Sequence, residues 1–336
     1  MAKSKNSVKR DNKRNGAIKA KCTQKAVAAE LVKPVSKAKT KNVANVKKSS
    51  GSVRAQRTIA DIVCHALLII MCIIWVLPFV YLLAQSFRGG VNLGMYTETF
   101  FPEKWTLDNY IRLFTETNTL NFKRMFMNTL FISSCACCIS TFMVLSVSYC
   151  TSRLKWKMRK PYMNMCMILG LFPGFMGMVA TYLLLKIMGL TEGSMLPVAL
   201  ILCYSAGAGS GFYVMKGYMD TIPKALDEAA YMDGATKFQT YIRIILPLCK
   251  PMIVYQIITA FMGPWMDFIF AKILCRTNLD YYTVSIGLYS MLDRERVNDW
   301  FTRFCAGAVC VAIPISLLYI ITQKFYQEAM SGSVKG

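Results

Sequence analysis

Long apolar stretches alternate with polar segments along the chain. Six of them can each span a hydrocarbon core of about 30 Å, which takes about 20 helical residues. They occupy residues 59–87, 126–150, 163–187, 195–214, 248–274 and 301–321. The pattern predicts an all-α, polytopic membrane protein with six transmembrane helices.

A basic tail precedes the first apolar stretch. Residues 1–57 hold 17 Lys and Arg side chains, two acids (Asp11 and Glu30) and no aromatic residue. Such a segment cannot bury enough apolar surface to fold. We therefore expect a disordered basic tail in 1–57, followed by a six-span domain in 58–336. We favour membrane lipid as the partner of the tail, at about 1 kcal/mol per basic residue near an anionic surface, or no partner at all. Nucleic acid is the less favoured alternative.

Composition and charge distribution indicate how the chain crosses the membrane. Of its 336 residues 54% are hydrophobic, the mean hydropathy is +0.37 and the net charge is +22, which is usual for a polytopic membrane protein. The first apolar stretch lacks a small-residue cleavage site, so we expect an uncleaved first span. With the tail inside, both termini are cytoplasmic. The basic segment 153–160 then also lies inside, as the positive-inside rule requires.

The segment 221–251 lies between two apolar stretches and is amphipathic. Thr221 and Pro223 are typical of a helix start, and Gly234 is typical of a helix end. A second short helix is predicted from Thr236 to Ile245, ended by Pro247. The sequence therefore predicts two short cytoplasmic helices, bent at one glycine, within a loop that covers 215–247.

This segment carries a family signature. Glu228-Ala229-Ala230 with Gly234 four residues on, followed by Ile244-Ile245-Leu246-Pro247, resembles the EAA loop of permease subunits in binding-protein-dependent ABC importers. The resemblance covers about residues 59–336. It implies a loop that docks on a separate ATPase, where Glu228 meets a basic residue and Gly234 makes the bend. The implied coupling residues are Glu228, Ala229, Ala230, Asp233, Gly234 and Pro247. The alternative is an ordinary amphipathic connector.

Other segments resemble the sugar-transporting branch of that family. Residues 261–268 and 282–289 are similar to permeases for maltodextrins and arabinogalactan oligomers. The C-terminus is similar to that of the maltose-type inner subunit, although Ala329-Met330-Ser331 replaces the usual Gly-Leu-Thr. The resemblance implies ATPase contacts at Gly332, Val334, Lys335 and Gly336. It also implies four kinds of partner: a second permease forming a heterodimer, two ATPase subunits that bind the ATP, an extracytoplasmic sugar-binding protein and the lipid of the cell membrane.

Two residues within the fifth stretch are candidates for a substrate path. Asp267 lies in an apolar context, where a carboxylate costs about 2.5 to 3.5 kcal/mol at a helix centre, so it needs a wet path or a partner. Trp265 beside it could stack on a sugar ring. The alternative is a packed aromatic ring beside a satisfied carboxylate.

The sequence gives little support for catalysis or metal binding. Cys135 and Cys138 have C-x-x-C spacing, but no second pair completes a site and His65 is the only histidine, so neither a metal site nor a catalytic site is predicted. The glycine run 206–211 lacks the G-K-[ST] of a phosphate loop and favours close helix packing. Two other functions stay open: an ion-coupled secondary transporter using Asp267, and a membrane scaffold acting through the basic tail.

Overall fold

A computed structural model describes residues 46–89, 99–171, 174–206, 208–294 and 297–332. The chain divides into two compact units, Met1–Ile74 and Trp75–Gly336. In the first unit the described residues form one helix, which begins at Val46 and continues to Ser86 in the second unit. It therefore includes residues 46–57, which the sequence assigned to an unstructured tail; residues 1–45 lie outside the described residues.

The described chain is almost entirely helical. Its helices are α1 Val46–Ser86, α2 Asp108–Thr115, α3 Phe122–Ser152, α4 Arg159–Gly170, α5 Gly174–Ile187, α6 Leu196–Ala206, α7 Ala208–Thr221, α8 Ala225–Met232, α9 Lys237–Leu248, α10 Lys250–Met266, α11 Ile269–Cys275, α12 Val284–Met291 and α13 Val297–Gly332. Short 3₁₀ turns lie at Gly193–Met195 and Leu279–Tyr281. Strands β1 (Arg88–Gly89) and β2 (Lys104–Trp105) pair antiparallel.

The apolar stretches appear as four long helical segments and two bent helix pairs. The segments Ala60–Ser86, Phe122–Ser152, Gly193–Thr221 and Trp300–Phe325 are each long and apolar enough to cross a membrane. The pairs α4–α5 and α9–α10 are bent by 103° and 79° and would make six spans if each pair counts as one. The all-α membrane fold is confirmed. The count of six spans and the cytoplasmic position of both termini stay predictions.

Helix α3 is the centre of the second unit and packs against α6, α7, α10 and α12. Its buried face is rich in small side chains, including Ser133, Ala136, Ser140 and Ser148, which let helices approach closely in lipid. One hydrophobic cluster surrounds its first half and another surrounds its last turns. Hydroxyl groups also bind across helices: the Ser148 hydroxyl donates to the carbonyl of Phe212 at 3.0 Å.

Candidate coupling loop and intramembrane cavity

The first helix of the loop, α8, is buried on an unexpected face. Asp227 and Ala230 are its buried residues, whereas Leu226 is 41% exposed and Met232 is 88% exposed. The sequence pattern gives this helix an apolar side that includes Leu226, Ala230 and Met232, and only part of that side is buried. The carboxylate of Asp227 is therefore turned inward, and large apolar side chains are left exposed to solvent. Such an exposed apolar surface suits contact with another protein.

Gly234 forms the bend that follows α8. Its φ is +80°, in the left-handed region that favours glycine. The N–H of Ala235 donates to the carbonyl of Ala230 at 2.9 Å, and the N–H of Gly234 donates to that of Tyr231 at 3.1 Å. These two bonds are the Schellman pattern of a helix C-terminus. The helix thus ends where the sequence predicts.

The second helix, α9, starts as predicted but ends later. Thr236 and Gln239 form a reciprocal capping box, which satisfies two amide groups at the helix start. The predicted end at Pro247 is wrong, since the helix runs to Leu248. The N–H of Leu246 donates to the carbonyl of Tyr241, five residues back. This widened turn carries the helix past Pro247, which has no N–H to donate.

Most of the predicted coupling residues lie at the surface of the loop. Glu228, Ala229, Asp233, Gly234 and Pro247 are exposed, and Ala230 is buried. The large side chains of Met232 and Phe238 are 88% and 68% exposed on the two helices. The loop therefore presents acidic groups and apolar side chains together. Sequence reasoning did not single out Phe238, because the signature concerns other positions.

The last turn of α3 holds the loop in place. Arg153, which directly follows α3, makes an ion pair with Asp227 at 2.9 Å between its Nη1 and the carboxylate Oδ2. Both side chains are buried, at 3% and 10% exposure. Sequence reasoning treated Asp227 as one of several loop acids and Arg153 as part of a basic turn. It missed the pair because the two residues are far apart in the sequence.

An intramembrane cavity of about 460 Å³ opens between α3, α6, α7 and α10. Five lining side chains are polar, namely Ser140, Tyr204, Tyr255, Gln256 and Thr259. The Gln256 amide donates to the Ser140 hydroxyl at 3.1 Å across the helices. The volume falls in the range of small-molecule sites, in which a few polar groups orient a ligand against apolar walls.

Neither Trp265 nor Asp267 is among the residues that line this cavity. Trp265 is 4% exposed, and its ring packs against Phe126 and Phe261 with centroids 5.3 and 5.9 Å apart. The Asp267 carboxylate accepts bonds from the Tyr204 hydroxyl at 2.8 Å and the Phe270 N–H at 3.1 Å, so it caps α11. In this conformation the expected sugar-stacking ring is a packed core residue beside a satisfied carboxylate.

The remaining predicted sites lie at the C-terminus. Gly332 is the last residue of α13. Val334, Lys335 and Gly336 lie outside the described residues. Among the residues that the structure describes, no group of three or more His, Cys, Asp or Glu side chains could hold a metal ion.

Helices long enough to cross a membrane, a two-helix loop between two apolar stretches and a polar cavity among the helices are together typical of a membrane transport permease. The family model described as "Binding-protein-dependent transport system inner membrane component" matches residues 90–330. The chain belongs to this family. It is thus a multi-pass component of the inner membrane and not an enzyme, since ATP hydrolysis in these importers takes place on separate ATPase subunits.

Relatives agree with the family over nearly their whole length. The chain is 32% identical to the galactooligosaccharides transport system permease protein GanQ of Bacillus subtilis, over 84% of this chain and 99% of the relative. It is 31% identical to the maltodextrin transport system permease protein MdxG of the same organism, over 83% of this chain and 98% of the relative. The maltodextrin permease MalD of Streptococcus pneumoniae is 29% identical over 85% of this chain and 100% of the relative.

A solved structure agrees with the fold. A chain in the crystal structure of a bacterial ABC transporter, involved in the import of the acidic polysaccharide alginate, matches with a TM-score of 0.66. The match covers 81% of this chain and 98% of that chain at 21% sequence identity. At this identity the likeness supports the membrane fold alone.

Proposed function

We propose that this chain forms half of the translocation pore of an ATP-driven oligosaccharide importer. The single observation that carries the proposal is the bent helix pair α8–α9. The two helices are joined by the bend at Gly234. Their segment matches the EAA signature and exposes Glu228, Met232 and Phe238 together. A separate ATPase can use such a protrusion as a docking element. Relatives that match end to end transport maltodextrins or galactooligosaccharides.

The expected substrate is a neutral oligosaccharide of the maltodextrin or galactooligosaccharide type. The polar lining of the cavity supports this class, because hydroxyl and amide groups can exchange hydrogen bonds with sugar hydroxyls while aromatic faces contact the ring. Tyr204, Tyr255, Gln256 and Thr259 are the residues we assign to the path. They replace Trp265 and Asp267 as the candidates for substrate contact. Trp265 packs in the core, and Asp267 accepts a hydrogen bond from the lining residue Tyr204.

The importer requires partners for each of its steps. In our proposal a second, homologous permease completes the pore, two ATPases bind the loops on the cytoplasmic side, and an extracytoplasmic binding protein delivers the sugar. The docking surface is formed by the exposed residues of the signature, with Ala230 packed beneath it: Glu228, Ala229, Asp233, Gly234 and Pro247. The C-terminal residues Gly332, Val334, Lys335 and Gly336 add ATPase contacts. We also propose membrane lipid as the partner of the basic residues in 1–57.

Transport follows from a displacement of the loop. ATP closes the two ATPases, the docked helices α8 and α9 move with them, and the spans change from inward-facing to outward-facing. Sugar released by the binding protein then enters the pore. The ion-coupled and scaffold alternatives are not favoured, because the chain belongs to the importer family and the Asp267 carboxylate already has two hydrogen-bond donors.

Charge reversal at Glu228 tests the docking role. Glu228→Lys places a cation where a basic residue of the ATPase is expected, so the amount of ATPase that co-purifies with the chain should fall at least about tenfold, which is 1.4 kcal/mol. Insertion into the membrane should be normal, because the side chain is exposed. The matched control is Glu192→Lys, at an exposed position just before the 3₁₀ turn Gly193–Met195. Equal ATPase recovery in both variants would refute the docking role of Glu228.

A further inference from the structure

The end of α3 is the point where a span meets both helices of the loop. Arg153 is the residue at which α3 ends, and its own N–H still donates to the carbonyl of Tyr149. Its guanidinium lies against Asp227 in α8. Because both groups are buried, loss of either partner would leave the other charge uncompensated in the interior.

The same guanidinium also binds the end of α7. Its Nη2 donates to the carbonyl of Met219 at 2.8 Å and to that of Ile222 at 2.9 Å. Carbonyl groups in the last turn of a helix lack partners within the helix, and here an arginine from another span supplies them. Arg153 therefore joins α3, the end of α7 and α8 through one rigid, planar group.

Tyr149 makes the corresponding contact with α9. It lies one turn before Arg153, and its hydroxyl donates to the carbonyl of Lys237 at 2.9 Å. Its ring packs on that of Tyr241, with centroids 4.4 Å apart. Both loop helices are thus fixed to the same turn of α3, on opposite sides of the bend at Gly234.

Helix α3 also reaches the cavity. Ser140 lies on this helix, lines the cavity and accepts a bond from Gln256 of α10. It is about 20 Å from Arg153 along the helix axis, at 1.5 Å per residue. A displacement of the loop that is passed to the last turn of α3 would therefore move the cavity wall.

We propose that Tyr149 and Arg153, with Asp227, are positioning residues that transmit the movement of the docked loop to α3 and so to the cavity. The proposal rests on the proposed function of the loop as the ATPase docking element. It goes beyond docking, because these three side chains contribute little exposed surface and act behind the docking face. Their loss should separate ATP hydrolysis from sugar movement rather than detach the ATPase.

The test uses the complete importer in proteoliposomes with ATP, and a maltodextrin or a galactooligosaccharide mixture, whichever the wild type imports. The readout is the amount of sugar imported per ATP hydrolysed, together with the amount of ATPase that co-purifies. Arg153→Met with Asp227→Leu removes both buried charges at once and leaves no unpaired ion. We expect the ATPase to stay attached and the ratio to fall at least about fivefold, the lower range of coupling between distant sites.

Two further variants make the result decisive. Tyr149→Phe keeps the ring contact and removes only the hydroxyl. Its ratio should fall below that of the wild type, which keeps the proposal testable if the double variant misfolds. Arg124→Met is the control, because Arg124 makes an exposed ion pair with Asp280 near the opposite end of the same helix, and it should keep the wild-type ratio.

Three outcomes would overturn the proposal. The first is a wild-type ratio in the folded double variant, the second is a wild-type ratio in Tyr149→Phe, and the third is loss of ATPase attachment in place of a changed ratio. A wild-type complex that binds the ATPase yet imports neither sugar mixture would instead count against the substrate class of the proposed function. A wild-type chain that binds no ATPase would count against its docking role.

Discussion

At the scale of single residues, Gly234 acts through its backbone conformation rather than through lack of space. A Cβ at this position would meet no heavy atom within 4 Å. The positive φ of +80° is what disfavours other residues, and a left-handed conformation costs an L-residue roughly 1 to 2 kcal/mol. The bend between α8 and α9 therefore depends on a torsion angle, and a small side chain is enough to disturb it.

Gly234→Ala should consequently lower the amount of ATPase that co-purifies, by about five- to thirtyfold if the full 1 to 2 kcal/mol is expressed in docking. Gly234→Asn should have a smaller effect, since asparagine tolerates this region better. Gly217→Ala is the matched control: it lies in α7, its Cβ also meets nothing within 4 Å, and its φ is not positive. Equal recovery from Gly234→Ala and Gly217→Ala would contradict the torsional account.

Sequence reasoning could not predict the environments of three residues at this scale, Asp227, Trp265 and Asp267. Their residue types are informative, but their environments depend on partners distant in the chain. Asp227 is buried because Arg153 reaches it from α3. Asp267 is satisfied by Tyr204 of α6. Hydropathy and spacing identify such residues as unusual and cannot tell a substrate contact from a helix cap.

At the scale of elements, the apolar stretches predicted the spans well and their interruptions poorly. The apolar runs 126–150 and 301–321 each lie within one continuous helix, α3 and α13. Within the stretch 248–274, by contrast, one helix ends at Met266 and a second begins at Ile269. An average over an apolar window does not register this break, because both sides of Asp267 are equally apolar. Only the cap that Asp267 makes to the Phe270 N–H explains it.

The contact between α3 and α10 gives a prediction at this scale. Ser140 and Gln256 bind each other at 3.1 Å in the cavity wall, and such interhelical bonds in membranes contribute about 0.6 to 1.7 kcal/mol. The stability losses of Ser140→Ala and Gln256→Leu should therefore be non-additive by about that amount in a double-mutant cycle followed by unfolding in detergent. Ser134→Ala serves as the control, because the Ser134 hydroxyl donates to Leu130 in its own helix. Additive losses for Ser140 and Gln256 would show that the two helices are not joined there.

At the scale of the whole molecule, the described surfaces divide into those that suit lipid and those that suit proteins. The Ala60–Ser86 span has no buried residue in its apolar window, as expected of a helix that lipid or a second permease covers. The loop α8–α9 is different, because its exposed apolar side chains lie beside exposed acids, between the apolar stretches 195–214 and 248–274. These two surfaces suit two kinds of partner, one within the membrane and one beside it.

The central claim is that this chain works as a permease together with a separate ATPase. The most direct measurement is purification of the tagged full-length chain in mild detergent, followed by mass spectrometry of the proteins that accompany it. We expect an ATPase and a second homologous permease in amounts comparable to the chain itself. A chain that is recovered alone, or only with copies of itself, under conditions that keep other membrane complexes intact would contradict the account.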